Sequence, residues 1–195
     1  MTNPDKGVSQ AGAHAPMLLV VSGRAGTGKT TLAKALCQRW KTCYLRVDAA
    51  EAALGPTGLR AGTEGYAVIH ELAVSNLLLG LDVVVDAVNP VPAARSGWRE
   101  ASDRAGARLV HVETSLADGA EHRRRVEGRR ADIPGHVAPS WDDVIGDGWV
   151  PWDEARDGVR VLVDTRNALD AFDAVRNLRD VKPPPLTSSG TGGSQ

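Results

Sequence analysis

Residues 17–40, MLLVVSGRAGTGKTTLAKALCQRW, set an unbroken apolar run, a glycine-rich turn and a helical segment in immediate succession. The turn GRAGTGKT (23–30) fits G-x-x-x-x-G-K-[ST]. A strand before it and a helix after it are the context in which that pattern cradles phosphate. Gly23, Gly26 and Gly28 let the backbone bend tightly around an anion with its N–H groups pointing inward. Arg24, Ala25 and Thr27 complete the loop, and the helix that follows adds the positive end of its dipole. Lys29 can reach the β- and γ-phosphates, the Thr30 hydroxyl can sit on Mg²⁺, and Thr31 follows in the first helical turn. The segment therefore predicts a site for a nucleoside triphosphate.

A strand that feeds such a loop belongs to a parallel sheet, and the rest of the chain supplies one. After MLLVVS (17–22), the runs CYLRVD (43–48), DVVVDAV (82–88), RLVHVE (108–113) and VRVLVD (159–164) read as strands. Their continuous, valine-rich character suits strands covered on both faces. Helical stretches alternate with them near 28–40, 64–79, 92–105, 118–131 and 167–180. The alternation predicts an α/β, three-layer P-loop NTPase fold with a five-stranded parallel sheet. Residues 132–157 hold prolines, glycines and three tryptophans and offer one short helix, from Ser140.

Ligands of parallel sheets lie beyond the carboxyl ends of the strands, which directs attention to the acids there. Asp86, at the end of DVVVD, is placed to hold Mg²⁺ through water. Asp48 closes the strand after the phosphate loop and could take the proton of an attacking hydroxyl; it could also cap the helix that follows. Glu51, one helical turn on, could share the acceptor site or be a first-turn helix acid. Asn89, in DAVNP, is a candidate substrate contact beside a turn signal. Arg95, a cation near a helix N-terminus, calls for an anionic partner, either a substrate or phosphate oxygen or Asp86. Asp164, in VLVDT, reads as a cap for the last helix more than as a neighbour of the nucleotide base.

EHRRRVEGRRAD (121–132) sets five arginines within a chain whose formal net charge is −1. Near-neutrality argues against general nucleic-acid binding, so this charge needs a local partner. Glu121 precedes Arg125 by four and Glu127 lies within reach of Arg123, Arg124 and Arg130, so much of the segment reads as a salt-bridged solvent face, above all Arg123, Arg124 and Arg130. Arg125 and Arg129, four apart, share one face and suit a lid that closes over phosphates and excludes water. Gly128 and the DIPG that follows fit a hinged element.

Other features bound the reading. Residues 1–15 and 183–195 have the composition of flexible and disordered tails around one domain, 16–182. No apolar run is long enough to span a membrane, the N-terminus lacks the order of a signal peptide, and a cytoplasmic protein is expected. Cys37 and Cys43 read as idle thiols. Trp98 reads as core; Trp141, Trp149 and Trp152 either wall an acceptor pocket or pin an irregular segment to the sheet.

LLVVSGRAGTGKTTLAKAL, YLRVDAAEAAL, EGYAVIHELAVSNLLLGLDVVVDAVNP and EHRRRVEGRRADIPGHVAPSWDDV, together with PWDEARDGVRVLVDT, resemble small bacterial P-loop proteins of the AAA-domain, kinase type. These are similar to chloramphenicol phosphotransferase, gluconate kinase, the zeta toxins and the kinase module of polynucleotide kinase. The resemblance spans roughly residues 17 to 166 and implies an adenylate-kinase-like fold with an arginine-bearing lid at about 118–135. It implies ATP and Mg²⁺ as cofactors and transfer of the γ-phosphate to a hydroxyl. It places the phosphate loop on Gly23 to Thr30, the general base on Asp48 and the lid arginines on Arg125 and Arg129. The expected acceptor is a small hydroxylated molecule, such as a sugar, a nucleoside or an antibiotic. A polynucleotide 5′-hydroxyl, a nucleotide sugar and a nucleotide-gated switch stand as alternatives.

Overall fold

The computed structural model describes residues 15–58, 63–146 and 148–181. The expected tails, 1–15 and 183–195, lie outside these apart from Ala15. Five strands, β1 (Met17–Ser22), β2 (Cys43–Arg46), β3 (Val83–Asp86), β4 (Arg108–Ser115) and β5 (Arg160–Asp164), form one sheet in the order β2-β3-β1-β4-β5. Every pairing is parallel, as the alternating sequence predicts. From β1 the chain passes to the edge strand β2, returns to β3 beside β1, and then crosses to β4 and β5 on the other side. A crevice therefore opens at the carboxyl end of β1, where ligands of such sheets bind.

Helices cover both faces. Met17, Leu19 and Val21 of β1 pack with Leu32, Ala33 and Leu36 of α1 (Lys29–Trp40) and with Ala171 and Val175 of α8 (Ala168–Val175). Leu18 and Val20 face the other layer, where α3 (Thr63–Leu78) and α4 (Pro92–Ala105) supply Ile69, Ala73, Leu77, Trp98 and Ala101. Burial on both faces explains why the central strands are continuous apolar runs and not alternating ones.

Several boundaries differ from the sequence expectation for physical reasons. β2 ends at Arg46, whose neighbour in register is Asp86, the last residue of β3. With no pairing strand beyond, Val47 and Asp48 turn into α2 (Val47–Leu54) and bury Val47. β4 runs to Ser115, α5 (Gly119–Glu127) stops at Glu127 ahead of Gly128, and α8 stops at Val175. The helix expected from Ser140 is α6 (Trp141–Ile145), closed by a capping box between Ser140 and Asp143. One further turn, α7 (Glu154–Asp157), follows.

Candidate active site

The phosphate loop joins β1 to α1 and is held in shape from both sides. Gly23 has φ 139°, and a Cβ there would lie 2.4 Å from Thr114 Oγ1 of β4. Gly26 has φ 82°, and a Cβ would lie 2.6 Å from Val126 Cγ2 of α5. The loop thus needs glycine for backbone conformation and for close approach together. Thr27 Oγ1 shares a 2.7 Å hydrogen bond with Thr114 Oγ1, and Thr165 Oγ1 donates to Thr27 O at 2.7 Å. His122 Nε2 lies 2.7 Å from Ala25 O, which docks α5 on the loop. Arg24 donates to Val144 O at 3.3 Å and lies over the Trp149 ring. Thr114, His122 and Thr165 were not singled out from sequence, because each contacts the loop only through the fold.

α1 starts at Lys29 with Gly28 as its N-cap and no side-chain cap bond, so its first N–H groups face the loop. Beside it lies a cavity of about 350 Å³ lined by Gly26, Gly28, Lys29, Thr30 and Thr31 together with Lys34, Arg125, Arg129, Arg130 and Asp132. Five cations and one acid make this wall, a charge balance suited to a polyphosphate. Lys29 is buried and donates to Arg24 O at 3.0 Å. Burial lowers its pKa, opposed by Asp86 and Asp48 and assisted by Arg129 and Arg46. An apolar groove of about 670 Å³ continues from Gly28, Thr31 and Arg125 to Leu169 and Phe172. Arg125 bonds Glu121 Oε1 and donates to the carbonyls of Thr165 and Arg166 at 3.0 and 3.2 Å, spanning cavity and groove.

The strand-end acids converge on a residue the sequence did not single out. The Arg46 guanidinium is 5% exposed and donates to Asp48 Oδ2 at 3.0 Å and to both oxygens of Asp132 at 2.8 and 3.0 Å. Its Nε lies 3.6 Å from Asp86 Oδ2. Burial opposes the Arg46 charge, but its bonds to Asp132 and Asp48 outweigh it and raise its pKa. The buried Asp86 also accepts from Tyr44 Oη at 2.9 Å. Arg129 Nη2 stands 4.0 Å from Asp48 Oδ2. Asp48 lies in the first turn of α2 and is not its N-cap; that position is Arg46. Glu51, three residues on, lies against Gly65, and burial, then Asp48, pushes its pKa up to about 7.

Two expected substrate contacts are instead structural. Asn89 is buried at φ 55°, its amide donates to Ser22 Oγ and its oxygen accepts from Trp98 Nε1, both at 2.8 Å. Arg95 is 1% exposed and bonds Asp157 at 2.8 Å, Asn89 O and Pro90 O at 3.1 Å, Pro151 O at 3.4 Å, and Val150 O. The anionic partner its helix-start position called for is Asp157, not Asp86 or a ligand. Its guanidinium also lies over Trp149 and Trp152, which pins the 149–158 segment to α4. Trp98 is core, and Trp141 packs edge-on against His122. Asp164 bonds Arg166 within its own loop, while Asn167 caps α8. Arg123 and Arg124 pair with Glu127 and Glu121 on the solvated face, whereas Arg130 lines the phosphate cavity.

The family model described as an AAA domain matches residues 18–140, which hold the phosphate loop, Asp48, Asp86 and Asp132, and Arg125 and Arg129. The chain belongs to the AAA domain family. Solved structures place this AAA domain chain among small P-loop kinase folds. A presumptive kinase from Chloroflexus aurantiacus J-10-fl aligns with a TM-score of 0.69 at 21% identity, over 87% of this chain and 100% of that one. A gluconokinase from Sinorhizobium meliloti 1021 aligns at 0.56 and 20%, over 86% and 94%. An APS kinase from Mycobacterium tuberculosis, solved with AMPPNP and APS, aligns at 0.56 and 15%, over 85% and 96%. No match is found among curated proteins. No helix among the described residues is long and apolar enough to cross a membrane.

Proposed function

We propose that the protein is a phosphotransferase that moves the γ-phosphate of ATP to a hydroxyl of a small molecule. One observation carries this reading: Arg129, just past α5, and the carboxylate of Asp48, in the first turn of α2, meet at 4.0 Å beside the phosphate loop. A carboxylate at that place can take the proton of an acceptor hydroxyl.

The residues fit Mg²⁺–ATP. The loop closes so tightly that a Cβ at Gly23 or Gly26 would collide, and its N–H groups and Lys29 surround the cradle. Among the described residues no three His, Cys, Asp or Glu side chains cluster tightly enough to hold a metal alone. Mg²⁺ takes one or two protein oxygens and completes its shell with phosphates and water. Thr30 and Asp86 are the residues that would hold it. When bound, Mg²⁺–ATP supplies the phosphoryl group and neutralises part of its charge.

The chain's own residues then have separate tasks. Gly23 to Thr31 orient the phosphates, and Lys29 is directed at the β- and γ-phosphates. Arg125 lies at the junction of cavity and groove and orients the nucleoside end. Asp48 takes the proton of the acceptor hydroxyl as its oxygen attacks the γ-phosphorus and the bond from that phosphorus to the bridging oxygen breaks, releasing ADP; Glu51 contributes to the acceptor site. Arg129 stabilises the charge that develops on the transferred group, and the lid excludes water so that transfer prevails over hydrolysis.

The test is a transfer screen with γ-labelled ATP, Mg²⁺ and sugars, nucleosides, aminoglycosides, nucleotide sugars and 5′-hydroxyl oligonucleotides. Label entering one class with wild type and not with Asp48→Asn supports the reading and names the acceptor. ATP binding without transfer to any class favours a nucleotide switch.

A further inference from the structure

Five side chains, from α1, β2, α2 and the limb that follows α5, form a line of alternating charge beside the phosphate cavity. Arg129, just past the lid helix α5, stands 4.0 Å from Asp48 of α2. Asp48 accepts from Arg46, the last residue of β2, at 3.0 Å. Arg46 donates to Asp132 at 2.8 Å, and Asp132 accepts from Lys34 of α1 at 3.0 Å. Both ends of the short limb 129–132 are therefore tied to one buried guanidinium, directly through Asp132 and indirectly through Asp48.

Its geometry suits that task. Arg46 presents a planar set of donors, so different nitrogens can serve Asp48 and Asp132 at once. The pull of Arg46, then of Lys34, holds the Asp132 carboxyl well below the usual carboxylate range, so it is ionised at neutral pH. At the start of the limb Arg129 N donates to Val126 O at 3.3 Å. The limb follows the end of α5, and Ile133 O and His136 N close a turn just beyond it.

We propose that Arg46 is a positioning residue that latches the lid limb to Asp48, so that seating the limb through Asp132 and orienting the carboxylate are one event. This rests on the phosphotransferase reading for its purpose, not for its existence. A limb held down delays escape of the nucleotide beneath it and shields the backbone after Arg129 and Arg130 from a protease.

Two measurements test it. The first is the rate of tryptic cleavage after Arg129 and Arg130 in wild type and Arg46→Lys, with melting temperatures recorded; the cut sites are unchanged in sequence. Lysine cannot hold Asp48 and Asp132 with separate planar donors, and cleavage should quicken by about fivefold, the scale of a partly exposed ion pair. An unchanged rate in a folded variant overturns the latch. The second uses mant-ATP with Mg²⁺ and Asp132→Asn, which is safe to make because Asp132 is 41% exposed. The latch predicts faster dissociation of the probe, restored toward wild type by Asp132→Glu. If Asp132 merely repels the triphosphate, its neutralisation slows dissociation; a slower or unchanged rate rejects the proposal. Failure of wild type to bind mant-ATP counts against the phosphotransferase reading, and the protease rate then decides the latch alone.

Discussion

One guanidinium nitrogen of Arg46 donates to both carboxylate oxygens of Asp132, at 3.0 and 2.8 Å, across 86 residues of chain. The pair joins the end of the edge strand β2 to the segment that follows α5. Because Arg46 also holds Asp48 and approaches Asp86, the acids of the site and the element that covers it share one cation. The consequences below depend on which residues touch the ligand and which only support it.

The carboxylate and the two lid arginines should separate kinetically. Asp48→Asn should abolish transfer and leave ATP affinity nearly unchanged. Arg129→Ala should lower kcat by about 10²-fold with little change in ATP affinity, since its charge matters most as negative charge develops. Arg125→Ala should also raise the KM for ATP, because Arg125 spans the phosphate cavity and the adjoining groove. Steady-state kinetics with the acceptor from the transfer screen distinguishes the three.

Gly26→Ala places a methyl group against Val126 at a backbone conformation that L residues rarely adopt. A loss of about 1–2 kcal/mol in stability is expected from the conformation alone. The lid helix must also shift, so nucleotide affinity should fall by more than stability accounts for. Calorimetry with a non-hydrolysable ATP analogue, alongside a melting curve, measures both.

Glu51 makes stability depend on pH. Its folded pKa is about 7, above the ordinary value of 4.5, so the folded protein holds this proton more tightly than the unfolded chain. The contribution is fully present below pH 4.5 and is lost as pH rises through 7. Glu51→Gln removes it. The variant should gain stability relative to wild type as pH rises from 5 to 8. Urea melts at those two pH values check the sign.

Arg95 and Asp157 are a buried structural pair and not substrate contacts. Removing one partner leaves an uncompensated charge inside the protein. Asp157→Asn or Arg95→Met should therefore cost about 3–5 kcal/mol. ATP affinity of the protein that remains folded should be unchanged. Thermal melting and nucleotide titration report the two quantities separately.

The phosphate loop, the parallel sheet and the acids at the strand ends were legible in the sequence because each is a local pattern. The apolar run of β1 reports burial on both faces, and the glycines of the loop report the backbone conformation they permit. Arg46 was not legible. In CYLRVD it looks like one polar residue in a strand, and its role appears only when β2 stops beside Asp86 and the lid brings Asp132 to it. Arg95 misled for the complementary reason. A cation at a helix start does need an anion, but the anion is Asp157, 62 residues later, in a segment with no clear periodicity. Asn89 likewise carries two buried hydrogen bonds that no local signal announces.

The central claim is that the γ-phosphate of ATP passes to an organic hydroxyl at this site. Phosphorus NMR of the protein with Mg²⁺–ATP and a mixed pool of hydroxylated acceptors tests it most directly. The account predicts a new phosphomonoester resonance that grows in step with ADP and is absent with Lys29→Ala and Asp48→Asn. ADP accompanied only by inorganic phosphate, or a phosphomonoester formed equally well by Asp48→Asn, would contradict it.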